Sequence, residues 1–125
     1  KMYAVAKEKI ESAKVLIKSG MYNDALSRAY YGAFHSVSLL FFIAGQSFSS
    51  HSQLIGNFNK QYIATGKLPR DLGKALSSLY DDRQGADYDF FQQYTETDAK
   101  SGIRQAENII SAVKVHILEE YSIQL

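Results

Sequence analysis

Apolar residues recur at intervals of three and four along most of the chain. Tyr3, Ala6, Ile10, Ala13 and Ile17 share one helical face, with Lys7, Glu8, Glu11 and Lys14 around the rest. Gly20 is the expected stop, because glycine takes the left-handed conformation that closes many helices. The pattern resumes over 22–44, ahead of Gly45. Two stripes coexist there. Tyr22, Leu26, Ala29, Ala33, Val37, Leu40 and Ala44 form a core face; Arg28, Tyr31, Gly32, His35, Leu39 and Phe42 form a second. A helix with two faces to bury is either the centre of a bundle or part of an oligomer interface.

A polar loop over 46–50 carries serines suited to capping. The next helix turns Leu54, Ile55, Phe58 and either Tyr62 or Ile63 inward and ends at Gly66. Pro69 opens a fourth helix, with Leu72, Ala75, Leu76 and Leu79 as its apolar positions. Residues 85–94 read as an acidic, aromatic connection. Thr95 or Thr97 caps a last helix, with Glu96 and Asp98 favourable at its positive end. Its core face is Ala99, Ile103, Ala106, Ile110, Val113 and Ile117, and it reaches about Tyr121. No sustained alternation between hairpin turns competes. The expectation is an all-α, antiparallel bundle of four to five helices, one domain over 1–125.

Composition narrows the chemistry. A length of 125 residues, 46% hydrophobic and 22% charged, describes an ordinary globular domain. The absence of cysteine excludes a disulfide framework and a thiolate metal site. A net charge of +1 is too balanced to mark a nucleic-acid binder by bulk electrostatics, which leaves only a local basic patch. No long apolar run suggests a membrane span and no signal peptide is evident, so the expected setting is the cytoplasm.

The strongest candidate for chemistry is Arg28-Ala-Tyr-Tyr-Gly-Ala-Phe-His35. Seven residues make about two helical turns, so Arg28 and His35 point the same way, ~10 Å apart at the backbone. Tyr31 lies between them. Arginine offers a permanent planar cation suited to phosphate, and histidine exchanges a proton near neutral pH. Together they suffice for metal-free phosphodiester cleavage. The plainer alternative pairs Arg28 with Asp24, four residues earlier, and gives His35 a hydrogen bond in a half-buried seam.

The run Ala25-Leu-Ser-Arg-Ala-Tyr-Tyr-Gly-Ala-Phe-His35 resembles the hallmark segment of HEPN domains, in particular the short stand-alone branch. His51, Phe58, Thr65-Gly-Lys-Leu and Arg83-Gln-Gly-Ala-Asp-Tyr88 extend the resemblance over nearly the whole chain. It implies a metal-independent ribonuclease, often a toxin paired with a minimal nucleotidyltransferase antitoxin. It also implies a homodimer in which two Arg/His helices face one composite cleft. One departure stands out: ribonuclease members often carry a polar residue directly after the arginine, and Ala29 stands here. Tyr30 or Tyr31 is the available substitute.

Other residues carry less. Arg83 and Asp87 read as a surface ion pair worth a few tenths of a kcal/mol, or Arg83 and Tyr88 line the mouth of a substrate cleft. His51, at a helix start, is a cap or a second substrate contact. His116 reads as a cation near a helix C-terminus. Gly32 permits close helix approach, and most aromatics are core. No metal-ligand spacing and no glycine-rich phosphate loop appears, so no cofactor is expected. Three functions compete: a ribonuclease acting through Arg28 and His35, a non-catalytic nucleotide- or RNA-binding partner of a nucleotidyltransferase, and a dimeric scaffold.

Overall fold

A computed structural model describes residues 2–88 and 92–125. Five helices follow one another: α1 (Met2–Lys18), α2 (Tyr22–Ile43), α3 (His51–Phe58), α4 (Arg70–Tyr88) and α5 (Glu96–Tyr121). A π-helical turn, Asn59–Ile63, continues α3. Among the described residues there is no strand. No described helix is long and apolar enough to cross a membrane.

Helix α2 is the centre. It contacts α1, α3, α4 and α5. Its core stripe is fully buried at Leu26, Ala29, Ala33, Val37 and Leu40. Helix α1 returns along it through a short turn at Gly20, whose φ of 75° is the left-handed value that glycine takes at least cost. A Cβ on Gly32 would stand 2.8 Å from Ile10 Cδ1 and 3.2 Å from the Ala6 carbonyl oxygen, so glycine is what lets α1 and α2 lie so close. Helix α4 also runs antiparallel to α2, with Arg83 beside Tyr31 and Asp87 beside Ser27. Helix α5 runs alongside in the same direction as α2: Leu26 packs on Gly102 near one end, while Phe41, Tyr62 and His116 meet at the other.

The boundaries follow local chemistry. The Thr95 side chain accepts from the Asp98 N–H, and the Asp98 carboxylate accepts from the Thr95 N–H, a reciprocal cap that selects Thr95 over Thr97. The third segment buries Tyr62, with Ile63 only half-buried. Pro69 sits one residue before α4.

Two expectations are corrected. Helix α4 continues to Tyr88, into the segment read as connection, because Arg83, Gln84 and Asp87 find partners along its length instead of water. Of the supposed connection, residues 89–91 lie outside the described structure. The return towards α5 is held by Asn23, which donates to the Gln92 carbonyl and accepts from the Tyr94 N–H. His116 is not a solvated cation at a helix end. It is buried, its ring edge-on to Tyr62 at 5.4 Å between centroids.

Gly32→Val should lower the unfolding free energy by about 2 kcal/mol, because a side chain there must displace Ile10 and meets a backbone oxygen. Gly56→Ala, in exposed helix with nothing within 4 Å, should raise it by up to ~1 kcal/mol. Equilibrium denaturant unfolding of the two variants reads both signs.

Candidate functional site

Part of the second stripe of α2 lies in a valley beside α1, while Phe42 at its far end is exposed. Lys9 and Leu16 of α1 and Asp24, Ser27, Arg28, Tyr31 and His35 of α2 line one groove with a cavity volume of about 540 Å³. The helical repeat brings Arg28, Tyr31 and His35 to this one concavity, as their spacing predicts. Arg28 is exposed and makes no ion pair among the described residues. The alternative pairing with Asp24 does not form within 4 Å, although both line the same groove. A guanidinium left this way keeps its donors for an incoming anion.

His35 is half-buried, and no described backbone carbonyl holds its ring. Its neighbours are aromatic: Tyr31 at 6.5 Å and Phe34 at 5.8 Å between ring centroids. Burial pushes its pKa below the usual histidine value, and the Lys9 ammonium adds to the effect. The imidazole is thereby biased towards its neutral, proton-accepting form at neutral pH.

Tyr31 is fixed from the opposite side. Arg83 Nη2 donates to the Tyr31 hydroxyl at 2.5 Å, and the guanidinium carbon stands 5.2 Å from the ring centroid. Arg83 Nε lies 3.0 Å from the Asp87 carboxylate, which also accepts from the Ser27 hydroxyl at 3.2 Å. The Arg83 side chain is only 13% exposed, so the expected surface ion pair is instead part of a half-buried network tying α4 to the groove helix. Arg83 thus reaches the groove through Tyr31 without lining it. The Tyr88 side chain lies outside the described structure.

His51 also stands off the groove. Its Nδ1 and the Tyr30 hydroxyl are hydrogen-bonded at 2.6 Å, and its ring stacks on Phe34 at 4.4 Å. Tyr30, Phe34, His51 and Tyr80 form an aromatic layer behind Tyr31. Burial lowers the His51 pKa, with a further contribution from Arg83. Tyr30 is completely buried in that layer, so of the two tyrosines only Tyr31 faces the groove. Ala29 is also completely buried, and its side chain packs into the core. The hydroxyl next to Arg28 in the groove comes from Ser27, on its other side.

Lys9, Leu16 and Ser27 are the lining residues that periodicity alone did not single out. Their signal was faint: each lies off the apolar stripe of its helix yet next to it in projection.

The histidines also set a pH dependence of stability. Both His35 and His51 have folded-state pKa values below the unfolded value of about 6.5, so the unfolded chain binds more protons as pH falls through that region. Stability should therefore decline between pH 7 and 5. His35→Asn should flatten part of the decline and leave the share due to His51, as read from melting temperature against pH.

The fold has counterparts. Residues 1–116 match the HEPN domain model. A UPF0332 protein of Thermotoga maritima is 35% identical over 109 residues, covering 87% of this chain and 83% of that protein. A Methanocaldococcus jannaschii protein named "Putative toxin MJ0605" is 30% identical over 115 residues, covering 92% and 85%. In three dimensions, the crystal structure of TT1696 from Thermus thermophilus superposes with a TM-score of 0.79 over 92% of this chain and 94% of that one, at 20% identity. That likeness establishes a shared five-helix architecture. The family match runs through every helix and includes the groove, and the chain therefore belongs to the HEPN domain family.

Proposed function

We propose that the protein is a metal-independent endoribonuclease acting through Arg28 and His35, and that it serves as the toxin of a toxin–antitoxin pair. The observation that carries this reading is the pairing in one open groove of an arginine without an ion-pair partner and a histidine biased towards its neutral form. A scaffold role would favour the opposite: Arg28 neutralised by Asp24, and His35 locked to a backbone carbonyl.

Neutral His35 takes the proton of an RNA 2′-hydroxyl. The 2′-oxygen attacks the adjacent phosphorus, the bond to the 5′-oxygen breaks, and that oxygen leaves with a proton. The products are a 2′,3′-cyclic phosphate and a 5′-hydroxyl. Arg28 holds the phosphate and stabilises the added negative charge on its oxygens. The proton for the leaving oxygen comes from water or from the imidazolium that His35 has become on taking the 2′ proton, in a groove that the family resemblance sets against a second copy's in a homodimer. Tyr31, clamped by Arg83, shapes the groove floor between the two residues. The natural partner is a small nucleotidyltransferase antitoxin, following the family pairing and the toxin names of relatives.

The test is cleavage of varied single-stranded RNAs in excess chelator. Wild-type protein should cleave and leave cyclic-phosphate ends. His35→Ala should reduce the rate by about 10²–10⁴-fold. Arg28→Ala should reduce it by about 10²–10³-fold while folding normally. Binding without cleavage would overturn the nuclease reading and leave a non-catalytic nucleotide- or RNA-binding module; loss of activity on chelation would overturn its metal independence.

A further inference from the structure

We propose that Lys9 is a further substrate-binding residue of this groove. Its ammonium would hold a second phosphate of the same RNA strand, near His35, while Arg28 holds the one that reacts. This inference rests on the ribonuclease reading and extends it to the class of substrate, a single-stranded RNA chain laid along the α1–α2 seam.

Lys9 differs from the other described lysines of α1. Lys7, Lys14 and Lys18 are exposed, whereas Lys9 is half-buried in the seam. Lys7 stands 5.9 Å from the Tyr3 ring centroid, and Lys14 pairs with Glu107 at 3.1 Å. Lys9 makes no ion pair among the described residues. Its stem packs in the seam while its ammonium has no counter-charge within 4 Å, and so is available to an anion that arrives from outside. The antiparallel packing at Gly32 sets Lys9 towards the His35 end, and Leu16 towards Asp24 and Arg28. Two cations therefore stand at separated points along one groove. Leu16 and Tyr31 supply apolar surface for a base between them.

A larger groove between α1 and α5, about 820 Å³, shows the contrast. It also holds three lysines, Lys14, Lys18 and Lys100, but Lys14 is paired with Glu107 and Lys100 with Glu96 at 2.9 Å. Its charge is largely answered within the protein. In the Lys9 groove the carboxylate is Asp24, which pairs with neither cation within 4 Å. Around His35, the charged and titratable groups are Lys9 from α1 and Asp24, Arg28 and Tyr31 from α2. Helices α3 and α4 present His51 and Arg83 on the far side of Tyr31.

The experiment measures binding of a short 2′-O-methyl RNA, which lacks the attacking hydroxyl, against salt concentration in excess chelator. Lys9→Gln should weaken binding roughly tenfold, the size of one charge-assisted contact. It should also reduce the log–log salt slope by about 0.7. Lys9→Arg should restore both. Lys7→Gln, an equal change of net charge outside the groove, should alter neither. If Lys9→Gln binds like wild type, or no worse than Lys7→Gln, the Lys9 assignment falls while the ribonuclease reading stands. If wild type binds no RNA, the ribonuclease reading falls and Lys9 with it. An NMR titration of His35 gives an independent check: its pKa should rise in Lys9→Gln, and an unchanged value would overturn the placement of Lys9 beside His35.

Discussion

At Gly32 the space for a side chain is already taken by Ile10 and by a carbonyl oxygen of α1. That missing Cβ sets how closely α1 lies on α2, and the site depends on the spacing. A bulkier residue would prise the two helices apart. The groove walls would then separate: Lys9 and Leu16 on one side, Arg28, Tyr31 and His35 on the other. Gly32 sits between Arg28 and His35 on the same stripe, so packing and candidate chemistry share a few turns of one helix.

Tension on the other flank is electrostatic. Arg83 spans from α4 to the Tyr31 hydroxyl, braced by Asp87, which also accepts from Ser27. Behind Tyr31 lies an aromatic layer in which His51 and the completely buried Tyr30 satisfy one another. Buried polar groups are tolerated there because each has a partner. The layer packs directly behind Tyr31 and backs it. His35 and Arg28, by contrast, are left with unused hydrogen-bonding capacity.

The sequence alone determined the helices. Their apolar stripes repeat at three and four, glycines fall at Gly20 and Gly45, and a Thr/Asp pair caps the last helix; each is a local rule. The two stripes of α2 announced a helix buried on more than one side. The Arg28/Tyr31/His35 alignment needed only helical geometry, since residues three, four and seven apart share a face in any α-helix. The family resemblance rested on that same segment.

What the tertiary structure decided depends on neighbours distant in sequence. Arg83 and Asp87 look the same on paper whether solvated or half-buried; only the packing of α4 against α2 makes them a brace, and that packing also carried α4 past the expected boundary at 85. His116 looked like a surface cation because a helix end is usually wet, yet the π turn carries Tyr62 over it. Ala29 looked like a gap in the site until the fold showed its side chain in the core, with Ser27 on the groove side. Lys9 belongs to the groove because α1 runs antiparallel to α2 at the distance Gly32 permits, and no pattern within α1 encodes what lies across the seam.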